Sequence, residues 1–153
     1  MTTPILSFSD VLKKFRREAF SERDKGARFE FLMKKYMLSE PTYEGRFKQI
    51  WLWNEFPYRK DFSGKDTGID LVAQTVEGDY WAVQCKCYEE NAYIDKAGVD
   101  SFLSTSSKSF YNENMETIQF SQRLWISTTN HWNSEAENTI KNQNPPLIRI
   151  SLT

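Results

Sequence analysis

No apolar run in the sequence approaches the roughly 18 to 20 residues that a membrane span needs, so no transmembrane helix is expected. The stretch from Met1 to Asp10 lacks a basic region followed by an apolar core, and no cleavable secretion signal is expected either. Cysteine is scarce. Cys85 and Cys87 stand two residues apart, too close to staple a fold, and read as reduced thiols of a cytosolic protein. Their spacing also falls short of a zinc pattern, and His131, the single histidine, lacks the partners that a zinc or His-based site requires. It is expected in a loop or in packing. Repeats, low-complexity tracts and long linkers are missing, and the net charge is only −1. That balance excludes a protein that grips nucleic acid by bulk electrostatics alone.

What is present is a single domain's worth of chain: 153 residues, 39% hydrophobic and 27% charged, with five Trp, seven Tyr and eleven Phe. The mean hydropathy of −0.65 fits a globular protein. Charge is unevenly spread. Residues 1–60 hold 13 Lys/Arg against 8 Asp/Glu, whereas residues 61–153 hold 7 against 13. A phosphate-facing surface beside a cation site would produce that split, and so would random scatter of solvated charge.

The local pattern predicts a short amphipathic helix over 9–20 and a second from about Lys25 to Met37. Phe29, Leu32, Met33, Tyr36 and Met37 form its buried stripe, and Glu30 shares the side of Met33 and Met37. Pro41 ends it. A strand is expected over 49–53, then a loop over 57–68. Residues 69–75 and 80–87 flank Glu77, Gly78 and Asp79 and predict an antiparallel hairpin. A helix around Val99, Phe102, Leu103 and Phe110 follows, and then a strand over 123–128. Ser134 and Glu137 form a capping box opening a helix to about Asn142, and a last strand covers 147–152. The order predicts an α/β domain with a central mixed sheet flanked by helices. Because the chain stops directly after a strand, it is expected to be an excised domain.

Gln84 and Lys86 emerge on one face of the second hairpin strand. A loop at 76–78 sets Asp70 opposite Gln84, and one at 77–79 sets it opposite Lys86. Either register gathers acid, amide and ammonium, while Trp81, Val83, Cys85 and Cys87 on the other face pack as core. One reading is a buried Asp70–Lys86 ion pair steadied by Gln84. The other is a divalent cation site, with Asp70 as one carboxylate, the Gln84 oxygen and the Cys85 backbone carbonyl as further ligands, and Glu30 as a second carboxylate, directly or through water. Lys86 would then face an attacking water or a phosphate. These are the parts of metal-assisted phosphodiester hydrolysis. Asp66 and Lys65 are weaker candidates, for orienting water and touching a DNA backbone. Ser104–Ser107 is expected at a solvated helix end or loop, and Trp51 and Trp53 in the core.

Asp70, thirteen intervening residues and Gln84-x-Lys86 resemble the PD-(D/E)XK nuclease signature in the form found in Mrr-like restriction endonuclease domains. The flanks Gly68 to Ala73 and Trp81 to Lys86 match that family, and Gly26-x-x-Phe29-Glu30 resembles its N-terminal acidic helix. The resemblance covers about residues 25–152. The first residues, with Trp51 and Trp53, resemble more narrowly the nuclease domain that opens type ISP restriction-modification enzymes. It implies a restriction-endonuclease-like core over 25–153 behind a helical extension over 1–24. It implies a DNA endonuclease using Mg²⁺, with Mn²⁺ as a substitute, and catalytic residues Asp70, Gln84, Lys86 and Glu30. The implied partners are double-stranded DNA and the helicase/translocase, methyltransferase and target-recognition regions of a parent polypeptide. ATP would enter only through that absent translocase. A repair or junction-resolving nuclease of the same fold and an inactive DNA- or partner-binding module are the rivals.

Overall fold

The computed structural model of the chain describes residues 8–17, 22–62, 68–89 and 91–151. Helix α1 spans Phe8–Arg17 and α2 spans Glu22–Ser39. The expected extension of α1 to Phe20 lies outside the described residues. Strand β1 (Phe47–Leu52) leads through two short 3₁₀ turns, Trp53–Glu55 and Arg59–Asp61, to the hairpin β2 (Leu71–Thr75) and β3 (Tyr80–Lys86). Helix α3 (Lys96–Ser106), strands β4 (Phe110–Tyr111), β5 (Thr117–Ile118) and β6 (Gln122–Ser127), helix α4 (Ser134–Thr139) and β7 (Leu147–Ser151) complete the order. The expected mixed sheet is there: five strands ordered β1-β2-β3-β6-β7. β1, β2 and β3 pair antiparallel, and β6 runs parallel to both β3 and β7.

β3 sits at the centre, and all its residues but Lys86 are buried. Both faces are covered, the arrangement that makes a strand read as continuously apolar. Trp81, Val83 and Cys85 pack with Phe29, Met33 and Met37 of α2. Tyr80 and Ala82 point the other way, into a core with Val99, Phe102 and Leu103 of α3 and Ala136 of α4. Phe56 anchors the chain between β1 and β2 in that second core. Its ring lies 5.3 to 5.7 Å from those of Trp51, Trp53, Tyr58 and Phe110, and aromatic pairs of this kind contribute about 0.5–1.5 kcal/mol each beyond burial. Trp51 and Trp53, expected in the core, are partly buried and pack against it.

Four expectations need correction. The helix around Val99 stops at Ser106, and Phe110 belongs instead to a β4–β5 hairpin that the pattern did not reveal. Helix α4 ends at Thr139 and its cap is Asn133, whose side-chain oxygen accepts from the Ala136 N–H at 2.8 Å. Ser134 is already the first helical residue. The run Ser104–Ser107 is at a helix end but only half of it is solvated: Ser104 and Ser107 are exposed, whereas Thr105 and Ser106 are buried. The Ser106 and Ser107 hydroxyls accept from the Arg123 guanidinium at 2.9 and 2.6 Å, because that buried cation meets only neutral oxygens here and takes every one in reach, including the Pro145 carbonyl. The strand over 49–53 is shifted, starting at Phe47 and giving way at Trp53 to a 3₁₀ turn.

Candidate active site

The hairpin settles the register. Leu71 pairs with Val83 and Gln74 with Tyr80. Thr75 donates its N–H to the Asp79 carbonyl, so the loop is 76–78, and pairing ends at Leu71 with Asp70 just beyond it, beside Gln84. Asp70 lies one residue ahead of β2, yet its backbone is held on both sides: its N–H donates to Val83 and its carbonyl accepts from Trp53, each at 2.9 Å. Its Oδ2 accepts from the Cys85 N–H at 2.9 Å. In a ladder, the N–H and carbonyl of one residue point to the same side. The Cys85 carbonyl therefore aims toward Asp70 as well.

The chain arrives at Asp70 through Gly68, whose φ is +71°. A Cβ there would stand 2.9 Å from Ser101 Oγ and 3.0 Å from the Phe102 nitrogen of α3. Only glycine fits that close approach. Gln84 is 3% exposed. The amide orientation that satisfies its neighbours donates the nitrogen to Asp70 Oδ2 at 3.3 Å and to the Gly68 carbonyl. Its oxygen accepts from Lys86 Nζ at 3.3 Å. The amide thus bridges acid and ammonium, and using that oxygen as a ligand requires Lys86 to move off it.

Glu30 reaches the same place from α2. Burial first, then the charge of Asp70 and a hydrogen bond with it, push the Glu30 carboxyl from 4.5 up to about 8, with Lys86 pulling the other way. Two carboxyls this close share a proton unless a cation replaces it. Burial also raises the Cys85 thiol well above its usual value, so that sulfur is an inert packing group. Glu30, Asp70, Cys85 and Lys86 line a cavity of about 160 Å³ together with Lys25, Gly26, Phe29 and Cys87. A larger hollow of about 480 Å³ between α1 and α2 contains no carboxylate, and its walls are apolar and basic. The smaller one brings carboxylates and ammonium groups together.

The main candidates meet: Asp70, Glu30, Lys86 and Cys85 line the cavity, and Gln84 joins them through its contacts with Asp70 and Lys86. Asp66 and Lys65 lie outside the described residues. His131 is exposed, its ring 5.3 Å from that of Tyr93. Sequence reasoning missed Lys25, Gly26, Cys87 and the Gly68 carbonyl. The first two had a signal, because Gly26 precedes Glu30 by four residues and Lys25 precedes Phe29 by four, which puts each pair on one helix face.

A sequence profile of the Mrr-type catalytic domain, described as restriction endonuclease, matches residues 38–153. The chain belongs to the restriction endonuclease family. Asp70, Gln84 and Lys86 fall inside the match, and Glu30 precedes it. Among solved structures, the chain is similar to the ATP-dependent type ISP restriction-modification enzyme LlaBIII bound to DNA. The TM-score is 0.68 at 28% identity, covering 97% of this chain but 8% of that one. It also resembles a repair endonuclease from Pyrococcus abyssi, with a TM-score of 0.47 and 16% identity over 88% of this chain and 49% of the other. No curated protein sequence matches. This restriction-endonuclease family member has the restriction-endonuclease-like core that the sequence predicted, a mixed sheet between helices. None of its described helices is long and apolar enough to cross a membrane.

Proposed function

We propose that the chain is a Mg²⁺-dependent endonuclease module that hydrolyses phosphodiester bonds of double-stranded DNA. The observation that carries this reading is the cavity in which the carboxyls of Glu30 and Asp70 meet beside Lys86. The donor set fits a hard cation: two carboxylates, a neutral amide oxygen and a backbone carbonyl, with the Cys85 thiol held protonated. Among the described residues no group of three or more His, Cys, Asp or Glu side chains could hold a metal ion, so an ion here would need the neutral oxygens, water and substrate phosphate beside the two carboxylates, ligands that Mg²⁺ accepts.

Asp70, Glu30, Gln84 and the Cys85 carbonyl would hold the ion, with Mn²⁺ as a substitute. Bound there, it would make a nearby water more acidic and offset charge building on the phosphate. The protein's own groups do the rest. The Cys85 N–H fixes the Asp70 carboxylate in one orientation. Gln84 tethers the Lys86 ammonium beside the acids. Lys86, released to the water or a phosphate oxygen, positions the nucleophile and stabilises the anionic transition state.

DNA as the substrate is supported by the DNA-bound LlaBIII, and the small share of that enzyme covered here supports a role as the cutting region of a larger polypeptide. In that reading residues 1–24 are a helical extension and 25–153 the catalytic core, working in a bacterial cytoplasm. Translocase, methyltransferase and target-recognition regions elsewhere supply ATP use and sequence choice. The test is relaxation of supercoiled plasmid by the full chain with Mg²⁺, with EDTA, and with Asp70→Asn. Cleavage that survives either chelation or Asp70→Asn would overturn the proposal.

A further inference from the structure

The cavity has a second cation that the proposed chemistry does not use. Lys25 of α2 lines it with Glu30, Asp70 and Lys86. Its side chain is only 17% exposed, although lysine normally keeps its ammonium in water. The ammonium lies 3.5 Å from Oε1 of Glu89, a carboxylate that is itself 80% exposed. A pair with one member so open to solvent is weak and easily exchanged. Gly26, the next residue, adds an independent observation. It sits inside a helix, where alanine is more stable, and its backbone has no positive φ that would demand glycine. A Cβ there would meet nothing within 4 Å. No neighbouring group of the chain accounts for the missing side chain. It leaves the wall of the cavity low beside Lys25, where something from outside can approach the helix closely.

Resting on the nuclease reading, we infer that Lys25 binds a backbone phosphate of the DNA strand being cut, next to the phosphate held at Asp70 and Lys86. Gly26 makes the room, and Glu89 occupies the Lys25 ammonium until the phosphate replaces it. A phosphodiester fits this place better than a carboxylate ligand. It brings a negative charge of the kind that Glu89 offers Lys25, and its strand continues to the neighbouring phosphate that the acids and Lys86 require. Lys25 is in this account a binding residue, while the acids and Lys86 remain the catalytic ones.

The test measures affinity of the full 153-residue chain for a fluorescent duplex of about 30 base pairs, at several salt concentrations with Ca²⁺ replacing Mg²⁺. Lys25→Gln should raise Kd roughly 3- to 10-fold and reduce the slope of log affinity against log salt by about one phosphate's worth, ~0.9. Lys25→Arg should keep the wild-type slope. Glu89→Gln should lower Kd about 2- to 3-fold, and that gain should vanish in the Lys25→Gln background. An unchanged Kd and slope in Lys25→Gln would overturn the inference. So would a Glu89→Gln gain of equal size with or without Lys25, since it would mark a general charge effect. If Lys25→Gln fails to fold, loss of the salt slope in Lys25→Arg or absence of any gain in Glu89→Gln overturns it as well. Asp70→Asn separates the two levels. Continued cutting by that variant removes the nuclease reading and this inference together, whereas lost cutting with an indifferent Lys25 removes only the inference.

Discussion

Glu30→Gln should stabilise the metal-free protein in alkali and destroy its response to Mg²⁺. The folded chain keeps the Glu30 proton up to about 8, because burial and Asp70 disfavour a second negative charge. The unfolded chain releases it near 4.5. Below 4.5 both states are protonated and Glu30 makes stability independent of pH. Between the two values only the unfolded state loses its proton, so folding stability falls as pH rises, and above about 8 the loss is complete. At 1.36 kcal/mol per pH unit this interval sets a ceiling of about 5 kcal/mol. Water reaching the half-exposed carboxyl screens much of that, leaving about 1–2 kcal/mol. The substituted amide cannot ionise. The variant should therefore melt with wild type at pH 4 and about 2–8 °C above it at pH 9 in EDTA, given about 2–4 °C per kcal/mol for a chain of this size. Added Mg²⁺ should raise wild type by binding only the folded state and leave Glu30→Gln largely unmoved. Paired melting curves from pH 4 to 9, with and without Mg²⁺, decide it. A difference that does not change with pH, or a variant less stable than wild type at pH 9 in EDTA, would refute the reasoning.

Other outcomes follow from the same geometry. Asp70→Ala and Lys86→Ala should each abolish plasmid cleavage while the chain still melts cooperatively, since both remove site chemistry rather than core; full activity in either would displace the assigned site. Gln84→Glu should lower the Mg²⁺ and Mn²⁺ concentrations needed for half-maximal cleavage if the side-chain oxygen is a ligand, whereas unaltered half-saturation for both ions would leave Gln84 as the tether of Lys86 alone. Gly68→Ala should cost about 2–4 kcal/mol in denaturant unfolding, combining a left-handed backbone with a clash against α3, and a cost below about 0.5 kcal/mol would show that the loop gives way. With net charge −1, the free chain should bind duplex DNA weakly, with Kd of about 10⁻⁴ to 10⁻⁶ M at physiological salt, and submicromolar binding in a salt titration would contradict this.

Local periodicity carried the reading where an element is long or strictly alternating. The stripe of Phe29, Met33 and Met37 marks α2 because residues three and four apart share a face. The hairpin was visible because two β-rich runs flank a glycine loop, but both loop registers suited the pattern. The Thr75–Asp79 pairing that chooses between them is a property of the folded turn. β4 and β5 have two residues each, too few to show any period, and Phe110 lies at a helical interval from Leu103. The serines after Leu103 read as solvated because serine usually is. Arg123 reaches them from 16 and 17 residues away, and nothing local announces that.

By itself the sequence determined which residues would meet, since the alternation of a strand puts Gln84 and Lys86 on one face and a hairpin brings Asp70 beside them. Those are consequences of covalent geometry over a few residues, and they hold wherever the hairpin forms. Only the tertiary structure decided how Glu30, forty residues before Asp70, comes close enough to share its proton, and why position 68 must lack a side chain where it passes α3. It alone put Lys25 in the wall of the same cavity, with Glu89 against it. The difference is physical: face and spacing follow from the local backbone, whereas a carboxyl's proton, a glycine's necessity and a lysine's partner depend on atoms that only packing brings near.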